Sequence, residues 1–558
     1  MMRTVKNILA AVLLCCCTAA QAQPSAVKNA AKAAFTLAAY DADGKQTGTA
    51  LGVLTDNDAV AISVLSPLMG ARHATVTDSK GNLRVVTRIV GVNSLYGVAC
   101  FRTDAQGKTV AAKVTTGQAS PGSNLWAASA DGLQQVTVSS VETFMDKYAY
   151  YILGPTAEGI IGAGTPLFND AGETVAIVQP SQTSSATHAV DARFITSLQV
   201  NAMALTDATL QKINIAPALP SDLQQAQLML MMAEQTADSL RRESAVADFI
   251  EQYPTLSDGY VARARQLSSQ GMFAEADKVM ATAVKKVSDA ADAHYQYSRL
   301  IYNKVTADDR PYEPWTLERA LDEVRLACSA ESLPLYRYME AQILFSMQQY
   351  EAALAIFEEL TTANSFKTAE LLFCIAQCRQ MMGAGEEELL ALLDSAITLT
   401  DTLQMGDAAP YFLMRGDVYN RLGRYRDASF DYSRYTLLSQ QMPSAQFYYI
   451  KAQAEVNGKL YQQALNDFAY AILISPNEPL YMAEMAQLYL RVNQPENALK
   501  VAERCVAVAP DYTTGHVLYG LALIKSGQQQ QGLDELNKAR DMGDEQAPQL
   551  IERYSHAD

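Results

Sequence analysis

Cys374 and Cys378 stand four residues apart in a stretch of helical periodicity, a spacing that puts two thiols on one helix face and would suit a metal or redox pair. No histidine or further cysteine lies nearby, so the pair amounts to half a zinc site and reads as two small buried apolar residues. The five histidines, His73, His188, His294, His516 and His556, are too scattered to nominate a metal centre. No Walker-type glycine loop appears that would cradle a phosphate. Trp126 and the pairs Tyr150-Tyr151 and Tyr448-Tyr449 would offer stacking platforms for a sugar if exposed, but isolated aromatics of this kind more often belong to a core. No cofactor and no metal are therefore implied. Acid-base chemistry in the first third of the chain would have to use His73 or His188, each needing a nucleophile within hydrogen-bond reach.

The elements that would position such groups divide the chain. Its 558 residues are too many for one core and predict three or four domain-sized units. Hydrophobic residues make up 49% and charged residues 19%, a balance that folds rather than staying disordered. Lys and Arg number 44 against 60 Asp and Glu, for a net charge of −16, which argues against a nucleic-acid partner. Residues 1–22 carry Arg3 and Lys6 before a short apolar run and the triplet Ala20-Gln21-Ala22, the pattern of a signal peptide cut after Ala22. Lipidation at Cys15, Cys16 or Cys17 is disfavoured because Leu14 precedes the first of them. No later segment has the run of about 20 apolar residues that spans a bilayer. The five cysteines left after cleavage, Cys100, Cys328, Cys374, Cys378 and Cys505, are widely spaced and odd in number, unlike a disulfide framework.

From about residue 30 to 200 the chain alternates apolar and polar residues in short runs such as ATVTDS, LRVVTRIVGV and ETVAIVQP, bounded by turn residues. That pattern predicts an all-β sandwich or barrel. Beyond residue 221 the period becomes 3.6, in runs such as QQALNDFAYAILI, and predicts helices. Residues 201–221, with Pro217 and Pro220 and a closing Ser221-Asp222 helix-start signal, are expected to be a linker. Nearly all the negative charge falls on the helical half, which makes a basic partner a mild inference only.

In the last third Ala464 and Ala498, and likewise Pro476 and Pro510, are separated by the 34-residue period of stacked helical hairpins. Segment 445–478 places Ala452, Tyr461, Ala464, Phe468, Ala471 and Pro476 at small, aromatic, small, aromatic, small and proline positions, and so resembles a tetratricopeptide repeat. Weaker copies continue upstream through Gly416 and Tyr419, Tyr350 and Phe357, and Ala264 and Phe273, giving about nine hairpins over 222–547. The resemblance implies a superhelical all-α solenoid that binds protein or peptide and performs no catalysis. It also implies a concave face built from positions two, five, nine, twelve and thirteen of each first helix. In the best repeats these are Asp417, Asn420, Arg421, Tyr449, Gln453, Asn457, Gln487, Leu490 and Arg491. Each would equally serve as an ordinary solvated side chain. Taken together they would line a groove for an extended peptide or partner loop.

The β half contains GTALGVLTDNDAVAISVLSPLMGA, IVGVNSLYGVACFRTD and GIIGAGTPLFNDAGETVAIVQP. In that order they resemble trypsin-like serine proteases, which implies a double β-barrel over residues 30–200. The family's histidine stands four residues before a Gly-Ala pair, here Gly70-Ala71, which maps it to Ser66. Its aspartate precedes an apolar-Ala pair, here Val98-Ala99, which maps it to Gly97. Its serine falls on Ala163 in Gly162-Ala163-Gly164-Thr165-Pro166-Leu167. Ser, Gly and Ala there provide no base, no orienting carboxylate and no nucleophile, so proteolysis by this route should be absent. The turn at Gly162 and Ala163 would still suit binding a carbonyl or chain terminus.

The expected protein is thus a multidomain β + α chain, a catalytically dead trypsin-like double barrel followed by a tetratricopeptide solenoid. It would be exported to the periplasm or cell exterior of a bacterial envelope and act there as a protein-binding scaffold. The alternatives are a hydrolase with a relocated site, Ser66 with His73 or a serine with His188, and a chaperone-like factor for exported chains.

Overall fold

The computed structural model describes residues 23–55, 60–104, 110–129, 132–155, 161–179, 186–362, 368–400 and 406–555. The expected signal peptide 1–22, with Cys15 to Cys17, and His556 lie outside the described residues. The chain forms two compact units, the first running to Leu300 with Arg310–Tyr312, the second comprising Ile301–Asp309 and the chain from Glu313.

In the first unit a short helix α1 (Ser25–Ala30) leads into β1 (Ala34–Tyr40), β2 (Gln46–Leu54), β3 (Val60–Val64), β4 (His73–Asp78), β5 (Leu83–Asn93) and β6 (Val98–Thr103). These close into an antiparallel barrel in the order β1-β2-β3-β6-β5-β4. The second barrel repeats that connectivity with β7 (Asn124–Ser129), β8 (Gly132–Phe144), β9 (Tyr148–Leu153), β10 (Pro166–Phe168), β11 (Thr174–Gln179) and β12 (His188–Asp191), followed by α2 (Ala192–Ser197). The strands alternate where one face is solvated: Phe35, Leu37 and Ala39 of β1 point inward while Thr36 is exposed. In β3 every residue is buried. Ala61 fills the first barrel, and Ile62 and Val64 pack with Trp126, Phe168 and Val190 between the barrels, so both faces must be apolar. The expected double β-barrel is present.

Residues 201–221 are packed rather than forming a free linker. Leu205, Leu210, Ile213, Ile215 and Leu219 are buried in one core with Leu37, Ile89 and Phe101 of the first barrel and Met229 and Phe249 of the helices beyond. The backbone continues the barrel: Ile89 N–H donates to Ala216 O at 3.0 Å, and Ala218 N–H to Ile89 O at 2.8 Å. The prolines that marked the expected linker lie in this packed segment. Arg241 anchors the same segment by donating to the carbonyls of Leu210 and Ile213 at 2.9 and 3.1 Å.

The helices come in hairpins. In order they are α3 (Leu223–Gln235) with α4 (Ser239–Gln252), α5 (Ser257–Ser269) with α6 (Phe273–Lys286), and α7 (Ala290–Ala307), within which the two units divide. The second unit continues with α8 (Leu317–Ala330), α9 (Pro334–Ser346) with α10 (Tyr350–Thr362), and α11 (Ala369–Met381) with α12 (Glu386–Leu399). It goes on through α13 (Ala409–Arg421) with α14 (Tyr425–Leu438), α15 (Ala445–Asn457) with α16 (Tyr461–Ile474), α17 (Pro479–Arg491) with α18 (Pro495–Val508), and α19 (Thr513–Lys525) with α20 (Gln529–Asp541). Asp222 caps α3 by accepting Gln225 N–H at 3.0 Å, the start signal legible in the sequence.

The eighth residue of each first helix in the second unit is small and buried: Ala341, Ala376, Gly416, Ala452, Ala486 and Gly520. The reason is visible at Gly416, where an added Cβ would lie 2.9 Å from the Tyr432 ring of the partner helix. The solenoid does not stop at residue 547. A terminal helix α21 (Ala547–Ser555) lays Ala547, Leu550 and Ile551 against Leu536 and Ala539, covering the apolar face that a further repeat would otherwise bury.

Candidate interaction groove and the barrel cleft

In the first unit the three mapped positions fall on loops at strand ends, two in the first barrel and one in the second. Ser66 opens the short turn after β3, Gly97 immediately precedes β6, which pairs with β3, and Ala163 lies just before β10. Leu65 N–H donates to Gly97 O at 2.8 Å, and Leu51 N–H to Ala163 O at 3.1 Å. Gly164 seals the second contact, since a Cβ there would sit 1.9 Å from Leu51 O at a φ of +84°. Only glycine fits such an approach.

A residue that sequence reasoning missed lies beside Gly97. Gln179 at the end of β11 donates its amide to Tyr96 O and accepts the Tyr150 hydroxyl at 2.8 Å. A Cβ on Gly97 would lie 3.6 Å from the Gln179 amide nitrogen. The group nearest a side chain at 97 would thus be an amide, which cannot carry negative charge. Gln179 is 82 residues from Gly97, and nothing local in the sequence links them.

The two histidines of this half stand against tyrosine rings. His73 stacks on Tyr40 with ring centroids 4.9 Å apart, and His188 on Tyr150 at 5.4 Å. Among the described residues neither ring is hydrogen-bonded to a hydroxyl or thiol, and His188 Nδ1 is buried without a partner. Asp191, fully buried, is committed to structure: it accepts Ala149 N–H at 3.0 Å and pairs with Arg193 at the start of α2. All five described cysteines are free. Burial raises the Cys374 thiol to about 11 and the Cys100 and Cys378 thiols to about 12, far from the thiolate a nucleophile needs. Cys374 meets the Tyr338 hydroxyl at 3.5 Å, and no group of three metal-ligating side chains exists among the described residues.

In the second unit the groove candidates lie on α13, α15 and α17. Asp417 accepts the Tyr432 hydroxyl at 2.7 Å, and burial pushes its carboxyl upward against that bond and the pull of Arg421. Arg421 forms a bidentate pair with Glu386 of α12 at 2.6 and 2.8 Å, which holds the Glu386 carboxyl below its usual range. Tyr449 packs against Tyr481 of α17 with its ring tilted and the centroids 5.3 Å apart, and the Arg491 guanidinium lies 5.2 Å from the Tyr461 ring centroid. Asn457, Gln487 and Arg491 are exposed, while Asn420, Gln453 and Leu490 are half-buried. Several candidates thus already link adjacent hairpins, while others face solvent. At the edge of this region an open hollow of about 1230 Å³ is lined by Phe373, Leu399, Tyr411 and Met442 with the carboxylates Glu370 and Asp407.

Beneath the groove runs a buried polar layer that the sequence did not announce. Asp431, fully buried, receives two guanidinium bonds from Arg415 at 2.7 and 2.8 Å. One repeat on, Lys451 lies 3.0 Å from Asp467 and 4.0 Å from Glu455, and Ser429 donates to Glu455 at 2.8 Å. Charged letters at these positions look like solvated face in sequence, and the one signal is their recurrence at the seventh helix position, Arg415 and Lys451.

Comparison with known proteins fits this geometry. The tetratricopeptide repeat family matches residues 413–479 and, in a second form, residues 336–366. Small glutamine-rich tetratricopeptide repeat-containing protein 2 of Saccharomyces cerevisiae is 26% identical over 95 residues, 17% of this chain. The chain spans 28% of that relative's length. Among solved structures, MamA is 17% identical over 33% of this chain and 95% of its own, with a TM-score of 0.28. YrrB, described as a TPR protein with an unusual peptide-binding site, is 17% identical over 35% of this chain and 97% of its own, with a TM-score of 0.30. Family matches on two segments, and hairpins from Pro334 onward that carry Ala or Gly at position eight of the first helix, show tetratricopeptide repeats in the helical part of this chain.

Proposed function

We propose that the protein is an exported adaptor that holds an extended segment of a partner protein in the groove of its tetratricopeptide solenoid, with a protease-like double barrel that does not cleave peptides. The tetratricopeptide repeats carry this reading, because stacked hairpins of this kind present a binding face and no reactive group. Support for an inactive barrel comes from Ser66, Gly97 and Ala163 at the mapped positions and from the Gln179 amide beside Gly97. A serine nucleophile needs a base and an orienting acid, and these residues supply neither. Export rests on the leader-like residues 1–22, and the bacterial envelope is the compartment that such a leader would reach.

The test is affinity purification of the full chain from its native envelope beside a variant carrying Asn420, Arg421, Tyr449, Asn457 and Arg491 all changed to Ala. One stoichiometric partner lost from the variant supports the adaptor. Retention of that partner by the variant removes the groove from the account, and a diffuse set of clients on both forms favours a chaperone-like factor. Incubation of the full chain with a fluorophosphonate probe should give no labelled band. Labelling at any serine of residues 34–191 would instead establish a relocated nucleophile.

A further inference from the structure

Positions six, ten and thirteen of the second helices α10, α12, α14, α16, α18 and α20 all face solvent. On α10, α12, α18 and α20 they hold small or polar residues, as at position ten with Glu359, Ser395, Arg504 and Lys538. On α14 and α16 large apolar side chains stand there instead: Phe430 is 59% exposed, Leu437 72%, Tyr470 47% and Leu473 71%. Leu326 of α8 is the single counterpart on that helix, and a lone surface leucine is ordinary.

The patch is continuous across the two helices. Arg434 of α14 lies over the Phe430 ring at 5.6 Å. The rings of Tyr435, Phe447, Tyr448 and Tyr470 follow one another at 4.9, 5.6 and 5.2 Å, joining α14 to α16 through α15. A connected apolar surface of this kind marks a docking face.

Its charges select the occupant. The exposed side chains of α16 include no carboxylate, and the one on α14, Asp427, pairs with Arg424 at 2.9 Å. Arg434 forms no ion pair among the described residues. The chain as a whole carries a net charge of −16, so two copies repel one another least where carboxylates are missing. The two helices also complement each other in register. Both flank the antiparallel α15 and therefore run parallel. A two-fold axis along them and midway between them lays α14 of one copy on α16 of the other at equal height, and the reverse, as an isologous contact requires. Position thirteen then sets Leu437 on Leu473 of the second copy, and position ten sets Arg434 on Tyr470. One face of the Tyr470 ring stacks on Tyr448 while the side chain stays half exposed, which leaves a ring face for the guanidinium. A different partner would have to bring a carboxylate for Arg434, whereas a second copy answers it from within the patch.

We propose that the outer face of α14 and α16 joins two copies of this chain about a two-fold axis, with α14 of each lying on α16 of the other. The contact uses second helices and leaves the first helices of both copies open. The dimer is then bivalent, and a partner with two binding segments gains avidity without any new contact.

Sedimentation velocity of the full chain from about 1 to 100 μM tests this. The mass should rise from one chain to two across that range, because a patch this small makes a weak interface. The variant L437E/L473E should raise the dissociation constant at least about a hundredfold, since it drives unpaired carboxylates into the apolar contact. Its thermal midpoint should match that of the unmodified chain, as both sites face solvent in a single copy. Arg434→Glu should weaken the dimer at least about fivefold through loss of its ring contact. A single-chain mass at every concentration overturns the proposal. So does undiminished dimerisation of L437E/L473E, which would place the contact elsewhere, or of R434E, which would remove the arrangement of α14 on α16. If the unmodified chain stays single yet floats with phosphatidylglycerol vesicles while L437E/L473E does not, the patch meets a membrane and the second copy is overturned.

Discussion

Arg415→Ala should destabilise the second unit by about 3–5 kcal/mol, because it leaves a buried carboxylate without its cation. Asp431 is fully buried, and its carboxyl is pushed upward by that burial and restrained by Arg415. The guanidinium also bonds Asp394 at 2.6 Å and lies over the rings of Phe412 and Tyr419, at 5.5 and 5.7 Å from their centroids. Removing it costs these contacts as well as the pairing. The net worth of a buried pair is far smaller than the cost of breaking it, so the double change Arg415→Met with Asp431→Leu should recover most of the loss. Urea unfolding followed by circular dichroism reads both. A loss below about 1 kcal/mol for Arg415→Ala, as for a surface pair, would contradict the buried layer.

A second large effect follows from Glu455 of α15, whose side chain is almost fully buried. Burial first, and then Asp467, raise its carboxyl to about 8, opposed by Ser429 and Lys451. The unfolded chain releases this proton near pH 4.3. Between that value and about 8 the folded state therefore binds more protons than the unfolded state, and stability falls as pH rises across the window. Glu455→Gln keeps the shape and removes the titration, so it should flatten the slope and stabilise the protein at pH 8 by on the order of 3 kcal/mol. Glu386 and Glu535 are shifted downward by Arg421 and by Lys538 with His516, and act with the opposite sign below the usual carboxylate range, outside this window. Thermal midpoints of both forms at about pH 5.5 and 8 test the point. Parallel pH slopes in the two proteins would show that Glu455 does not hold the proton.

The repeats were legible because their defining contacts are local. Gly416 meets Tyr432 only 16 residues away, and Ala or Gly recurs at the eighth position of the first helices from Pro334–Ser346 onward. The inter-helix turns were less so. Gly383, Gly423 and Gly527 mark three of them, but the equivalent left-handed residues elsewhere are Gln348, Lys459 and Asn493, with φ near +60°. There the backbone bonds that close the turn, such as Leu460 N–H to Glu455 O at 2.7 Å, override the preference for glycine. The barrels were legible from strand alternation, but the partners of their loops were not. Gln179 beside Gly97, and Leu205 to Leu219 in the first barrel's core, are contacts between distant segments that no local period records. The polar layer stayed hidden for a different reason: Lys451, Glu455 and Asp467 are charged residues that the sequence assigns to solvent, and only the packing of three helices buries them.

The central claim, that a partner lies along the first helices of the second unit, is tested most directly by hydrogen–deuterium exchange of the full chain with and without its co-purified partner. The account predicts slowed exchange on α11, α13, α15 and α17 upon binding, with the barrel segments from 34 to 191 unchanged. Protection confined to the barrels, around Ser66, Gly97 and Ala163, would contradict it and place recognition in the protease-like half.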